Sequence, residues 1–288
     1  MKFSFLLILL LSSDVWAKWS VSTYNIRNFD NDRGAGRTNL EALGKILTGS
    51  KSDVMAFEEI VNVAAFDKLI STFLPGYQTE LSSCGGFGKQ NLAIAFNPNL
   101  FRLVSQTEDR TFSGSDNGAC GSLRPVYLVT LEHKANRTMH TFALVHLKAG
   151  SDQRALGTRW QQYEGLKRLA RKYDNQNLIL LGDFNTTGYI HRDEDYTRFE
   201  AFMSSSKLRS TTENIGCTNY WSGNQGGDQY QPSILDHIVI QDKAISSVES
   251  ITVGAHCAQQ ECRPARPAEL GVSFEGVSDH CPLKVSFK

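Results

Sequence analysis

The 288 residues carry 30 Lys and Arg against 30 Asp and Glu, so the chain is formally neutral, and 41% of it is hydrophobic. That composition excludes a disordered, collagen-like or repeat-biased polymer. Neutrality points to neither nucleic acid nor membrane as a partner, although a basic groove can sit on a neutral protein.

The chain opens with Met1-Lys2, a mostly apolar run from Phe3 to Leu11, and then Val15-Trp16-Ala17. A short charged start, a short apolar core and small residues ahead of a cut after Ala17 form the pattern of a secretory signal peptide. The run is about half the ~20 residues a membrane-spanning helix needs. Residues 1–17 are therefore expected to be a signal peptide, and 18–288 a single domain that is secreted or periplasmic and not inserted in a membrane. The cysteines Cys84, Cys120, Cys217, Cys257, Cys262 and Cys281 are even in number, which suits disulfides in an exported chain. Cys257 and Cys262 lie close enough for a small bridged loop, leaving Cys84 with Cys120 and Cys217 with Cys281. No Cys-x-x-Cys pair argues for zinc.

Trp19 to Ile26 alternates like a strand. Leu40, Leu43, Ile46 and Leu47 predict a helix over Thr38–Gly49, and Asp53–Phe57 a short buried strand. Val63, Phe66, Leu69, Ile70 and Phe73 mark a second helix, stopped at Pro75-Gly76. Asn91–Phe96, Val126–Leu131 and Thr141–Leu147 are rich in strand formers, and Leu156 to Tyr173 keeps helical spacing. Leu178–Leu181, Ile234–Ile240, Ser250–Val253 and Leu283–Phe287 complete the strands. Polar stretches near 82–90, 106–123, 184–196, 213–233 and 256–279 read as long loops, which in a compact domain are commonly functional. Interspersed strands and helices without a long linker predict one α/β domain.

Polar residues gather where the apolar strands stop. Asn25, Glu58-Glu59, His146, Gly182-Asp183-Phe184-Asn185, Asp236-His237 and Ser278-Asp279-His280 all stand at such positions. Singly, each is an ordinary cap or solvated end. Together they would make a site of hard oxygen donors plus imidazoles. Such donors suit magnesium, with manganese or calcium as alternatives, rather than zinc. His with acidic partners suits proton transfer beside an anion. The combination points to metal-assisted attack of water on a phosphate ester.

The series Tyr24-Asn-Ile-Arg27, Glu58-Glu-Ile60, Leu123-Arg-Pro125, Val145-His-Leu147, Leu181-Gly-Asp-Phe-Asn185, Leu235-Asp-His-Ile238 and Ser278-Asp-His-Cys-Pro-Leu283 resembles the endonuclease/exonuclease/phosphatase superfamily. The resemblance spans about residues 19–287. It implies an α/β four-layer sandwich, two packed mixed β-sheets flanked by helices in the deoxyribonuclease I-like manner, with the site at one edge of the sheets. It implies catalytic roles for His146, Asp183, Asn185, Asp236 and His280. Asn25, Glu59 and Asp279 are the implied metal residues, with Glu58 a second choice to Glu59. Arg124 is the implied phosphate contact, and Lys148, following His146-Leu147, is a further substrate candidate. The implied activity is a secreted divalent-metal nuclease acting on DNA, with RNA as an extension and an exported lipid phosphodiesterase, such as a sphingomyelinase, as the alternative. No obligate protein partner is evident.

Two positions depart from the resemblance. Gln90 stands where a Glu would partner the first catalytic His, and Val61 or Asn62 where an Arg would enter the DNA minor groove. Tyr220, Trp221 and Tyr230 either stack on bases or pack their own loop. Arg154, Arg159, Lys167, Arg168, Arg171 and Lys172 form either a phosphate-tracking strip or the wet face of a helix.

Overall fold

A computed structural model describes residues 18–30, 37–113, 120–174, 176–222 and 228–288. The expected signal peptide lies outside the described residues. In chain order the elements are β1 (Trp19–Phe29), α1 (Leu40–Gly49), β2 (Val54–Ile60), α2 (Val63–Phe73), β3 (Gln78–Leu81), β4 (Asn91–Phe96), β5 (Phe101–Asp109), β6 (Val126–His133), β7 (Thr138–His146), α3 (Gln153–Lys172) and β8 (Leu178–Asp183). There follow α4 (Glu194–Ser205), β9 (Leu208–Ser210), β10 (Asn219–Trp221), β11 (Gln231–Ser233), β12 (Asp236–Gln241), β13 (Val248–Val253), three short helices α5 (Ala255–Gln259), α6 (Pro267–Leu270) and α7 (Val272–Glu275), and β14 (Leu283–Phe287).

Two six-stranded sheets form, in the orders β13-β14-β1-β2-β4-β3 and β5-β6-β7-β8-β12-β9, with a small β10-β11 hairpin apart. Both sheets are mixed: β1 runs parallel to β2, and β7 parallel to β8, among otherwise antiparallel neighbours. Successive strand residues face opposite sides, and here both sides are apolar. Val54 and Ala56 face the layer between the sheets, while Met55 and Phe57 face α1 and α2. Ile179 and Leu181 face the same interlayer, while Leu178 and Leu180 meet Tyr163, Leu166 and Leu169 of α3 and Phe199 of α4. The result is the expected four-layer sandwich. Among the described residues no helix is long and apolar enough to cross a membrane.

Element ends move for local reasons. The first helix begins at Leu40 because the Asn39 side chain accepts from Ala42 N and caps it. The stretch near 106–123 is not all loop: β5 extends to Asp109, paired along β6 at the sheet edge. The loop at 184–196 is cut short by α4, which Asp193 caps. The cysteines pair as Cys84–Cys120, Cys217–Cys262 and Cys257–Cys281. The Cys84–Cys120 expectation holds, and the other two are corrected. Cys257 lies on α5 beside Cys281 at the foot of β14, and Cys262, past the end of that helix, reaches Cys217. These bridges stand in a small satellite core with Tyr220, Leu270 and Phe274.

Replacing Cys257 and Cys281 together by Ser is expected to cost about 3 kcal/mol, the usual effect of opening a loop of this size. Urea denaturation of the variant checks it. A melting temperature insensitive to reductant in the wild type would contradict a structural role for the bridges.

Candidate active site

The site is the last layer of the core between the sheets. Along β1 the inward residues run Val21, Thr23, Asn25, and along β2 they run Val54, Ala56, Glu58. On β7 they are Phe142, Leu144, His146, and on β8 Ile179, Leu181, Asp183. On the reversed β12 they are Ile240, Ile238, Asp236. Each set starts apolar and ends polar at one edge. The ladders align the ends, pairing Asn25 with Glu58, His146 with Asp183, and Asp236 with Asp183.

Glu58 and Glu59 are separated by backbone geometry. Pairing of β2 slips between Phe57 and Ile60, and Glu59 takes φ 67°. The irregularity lets two successive residues serve one edge. Glu58 is fully buried, accepts from Thr23 Oγ1 at 2.6 Å, and is pushed well above the usual carboxylate range by burial. It stands behind the site. Glu59 faces the site: Oε1 accepts from Asn25 Nδ2 at 3.2 Å, and Oε2 from Asn28 N at 2.7 Å.

Asp183 is central. Its Oδ2 accepts from Asn25 Nδ2 at 3.1 Å and lies 3.5 Å from His146 Nε2 and 3.9 Å from His280 Nε2. Its Oδ1 accepts from the N–H of Asn185, which sits at φ 53°. Gly182 before it is obligatory, since at φ 132° an added Cβ would fall 2.0 Å from Val145 O. Burial, with Asp236 and Glu59 alongside, pushes Asp183 up to about 7 despite the pull of His280.

The two imidazoles differ in charge. Burial works against the cation at His280, but Asp236 and Asp183 outweigh it, and its pKa lies well above the ordinary value. His280 Nδ1 donates to Asp236 Oδ2 at 2.8 Å. Ser278 Oγ fixes that segment by donating to Asn25 O at 2.7 Å and accepting from His280 N at 3.1 Å. His146 is neutral, held well below the ordinary value by burial and by the charges of Arg124 and His280. Its Nε2 is 3.7 Å from Glu59 Oε1, while its Nδ1 is buried without a partner. Gln90 does not reach it, donating instead to Asn28 Oδ1 at 2.9 Å.

Arg124 Nη2 and Asn185 Nδ2 both donate to Leu147 O, at 2.9 and 3.2 Å, which sets them side by side. Two candidates stand apart. Asp279 is turned toward Arg27, at 4.0 Å, and Lys148 Nζ donates to the neighbouring Ala149 O. Of the loop aromatics, Tyr220 is buried and bonded to Arg263 O, Tyr230 packs on Phe274, and only Trp221 is exposed. The α3 cations do not form one strip, because Arg159 is wholly buried.

Glu59 and Asp183 offer carboxylate oxygens on either side of the Asn25 amide, whose own Oδ1 accepts from Arg27 N at 3.0 Å. The two carboxylates fit a hard divalent cation, while Asn25 turns its Nδ2 rather than its Oδ1 toward them. Ligand atoms of Asp183, Asp236 and His280 also lie within 4.8 Å of one another. A cation there would have to displace the Asp236–His280 hydrogen bond and the proton on His280, so these groups fit proton handling better.

His237 went unassigned in the sequence. Its Nε2 lies 2.7 Å from Thr186 Oγ1, whose single proton goes to Ile234 O, so Nε2 carries the ring proton. Nδ1 then accepts from Thr212 or Ser210. Only the hydroxyl partners around it could have signalled this, and they are distant in sequence.

The endonuclease/exonuclease/phosphatase family model matches residues 22–280, and the chain belongs to that family. Its fold is that of metal-dependent phosphodiesterases and nucleases. Solved structures agree on the fold. A family protein from Bacteroides thetaiotaomicron superposes with TM-score 0.62 at 19% identity, covering 94% of this chain and 97% of that one. The human Nocturnin catalytic domain, with bound sulfate, gives 0.62 at 19% identity, covering 94% of each. D. rerio TDP2, complexed with single-strand DNA product, gives 0.65 at 13% identity, covering 94% of this chain and 99% of that one. No curated protein matches by sequence.

Burial holds His237 down at about 3, without an acidic partner. The unfolded chain, with an ordinary value near 6.5, takes up a proton that the folded chain refuses. Stability is therefore full above about pH 6.5 and falls as pH drops toward 3. At pH 5 this one residue is expected to remove about 2 kcal/mol. Urea midpoints at pH 7 and 5 check it. Replacing His237 by Gln should flatten the dependence, and an unchanged slope would contradict the assignment.

Proposed function

We propose that the chain is an exported, divalent-metal-dependent nuclease that hydrolyses phosphodiester bonds of DNA, with RNA within its reach. The observation that carries this is the convergence of Glu59, Asp183, His146, Arg124, Asn185 and the Asp236–His280 pair at one edge of the sandwich. The single-strand DNA product in the TDP2 neighbour supports a nucleic-acid substrate. The apolar leader and the three disulfides support export to an oxidising compartment.

A magnesium ion, or manganese or calcium in its place, held by Glu59 and Asp183 beside Asn25, would neutralise phosphate charge and acidify water. The chain supplies the rest. Arg124 and Asn185 bind phosphate oxygens, Arg124 through a charge-assisted fork. Asp183 orients the attacking water and takes its proton. His280, kept charged by Asp236, donates to the departing oxygen. Neutral His146 hydrogen-bonds the phosphate through Nε2.

One observation favours the lipid alternative. Phe87, 91% exposed, tips the loop that Cys84–Cys120 tethers and that Gln90 links through Asn28 to Glu59. An apolar tip beside a phosphodiester site suits a membrane surface as well as a base.

The mature protein, from Lys18, is expected to nick supercoiled plasmid with magnesium and to stop with chelator. Asp183→Ala or His280→Ala should lower the rate by about 10²- to 10⁴-fold, with melting temperature retained. Intact plasmid alongside cleavage of sphingomyelin vesicles would replace the nuclease reading by the lipid one. Substantial turnover by either folded variant would contradict the assigned roles.

A further inference from the structure

His146 stands at the root of the loop leaving β7, and its ring has no second hydrogen bond to orient it, since Nδ1 is buried and unpartnered. Its position therefore depends on packing and on the backbone around it. That backbone is tied down atom by atom. Leu147 N donates to Asp183 O at 2.9 Å, and Leu147 O accepts from Arg124 and Asn185. Lys148 N donates to Gln162 Oε1 at 2.8 Å. Lys148 O and Gly150 O both accept from Arg159 Nη1, at 2.5 and 3.0 Å.

Arg159 and Gln162 lie one helical turn apart on α3, both wholly buried. The Arg159 charge is matched by Asp195 of α4, with Nη2 2.9 Å from Oδ2. The same pair reaches the second catalytic loop: Arg159 Nη2 donates to Thr187 Oγ1 at 3.0 Å, and Asp195 Oδ2 accepts from Thr187 N at 3.2 Å. Trp160 Nε1 donates to Asp195 Oδ1 at 3.0 Å and completes the cluster. A buried ion pair is often no more stabilising than apolar packing of the same volume. Here its remaining hydrogen bonds go mainly to the loops that carry His146 and Asn185.

We propose that Arg159, Gln162 and Asp195 are positioning residues, a single polar brace between α3 and α4 that sets where His146 and Asn185 stand. The proposal rests on the reading of the site as a phosphodiesterase. His146, whose Nδ1 has no partner, is held through its backbone instead of through that ring nitrogen. The brace acts on geometry and touches neither substrate nor cation.

The test is Gln162→Leu, which removes the acceptor of Lys148 N with a side chain of similar size. On single-stranded and plasmid DNA, kcat is expected to fall about 10- to 100-fold, the effect of a small misplacement, with KM within about twofold. Deuterium exchange at the amides of 147–150 should quicken. Gln162→Glu keeps an acceptor oxygen and should restore most of kcat. If Gln162→Leu does not fold, Arg159→Lys, which keeps the charge but loses the planar fork, should show the same kcat loss. Unchanged kcat, a change confined to KM, or a loss that Gln162→Glu does not restore would overturn the brace. Should the wild type hydrolyse no DNA, exchange still decides the matter. Quickened exchange of Leu147 N and Asn185 N, whose own acceptors the substitution leaves in place, upholds the brace while the nuclease reading falls, and unaltered exchange there overturns the brace.

Discussion

The constraint on which the rest depends is the two-residue period of the inward strand faces. Val21-Thr23-Asn25, Phe142-Leu144-His146, Ile179-Leu181-Asp183 and Ile240-Ile238-Asp236 each begin in the apolar interlayer and end at one edge. Packing of the interlayer fixes the register, because a slip of one residue would send every inward side chain to the opposite face. The same burial that holds the sheets together thus delivers the polar terminal residues to a common point. It also withdraws water from them, and this moves their pKa values apart: burial pushes Glu58 up and His146 down, while Asp236 and Asp183 facing His280 outweigh burial and push it up.

Where regular strand geometry would not place a group, the backbone departs from it. Glu59 and Asn185 both take positive φ, at 67° and 53°. Such conformations cost energy in residues with a Cβ and persist where the surroundings enforce them. Asn28 N holds the Glu59 carboxylate, and Leu147 O holds the Asn185 amide. The edge is therefore a set of loops bound to one another through their backbones, with the disulfides securing the Ser278–Cys281 segment and the Phe87 loop.

Much of this was legible in the sequence. The inward periodicity marks the strands, and the polar residue closing each run marks the site. The family series, with its order and spacing, supplies the layered fold. What was illegible has physical reasons. Residues 101–109 bury only one end, so β5 lacks an alternating pattern and exists through its ladder with β6. The cysteine pairs depend on how α5 folds against β14, and nearness in sequence misled for Cys257 and Cys262. Arg159 looked like one of several surface cations because its partner Asp195 lies on another helix. Asp279 sits beside His280 in sequence, yet its carboxylate turns to Arg27. Composition and period describe which side is buried; they do not tell which buried charge finds its counterpart.

In the proposed reaction, water activated at Asp183 between two strand ends of one sheet attacks phosphorus. Hydrolysis of a DNA oligonucleotide in water enriched in heavy oxygen, followed by mass spectrometry of the fragments, tests it most directly. One heavy oxygen is expected in the phosphate of the product and none in the released hydroxyl. Heavy oxygen in the hydroxyl, or in neither fragment, would contradict it.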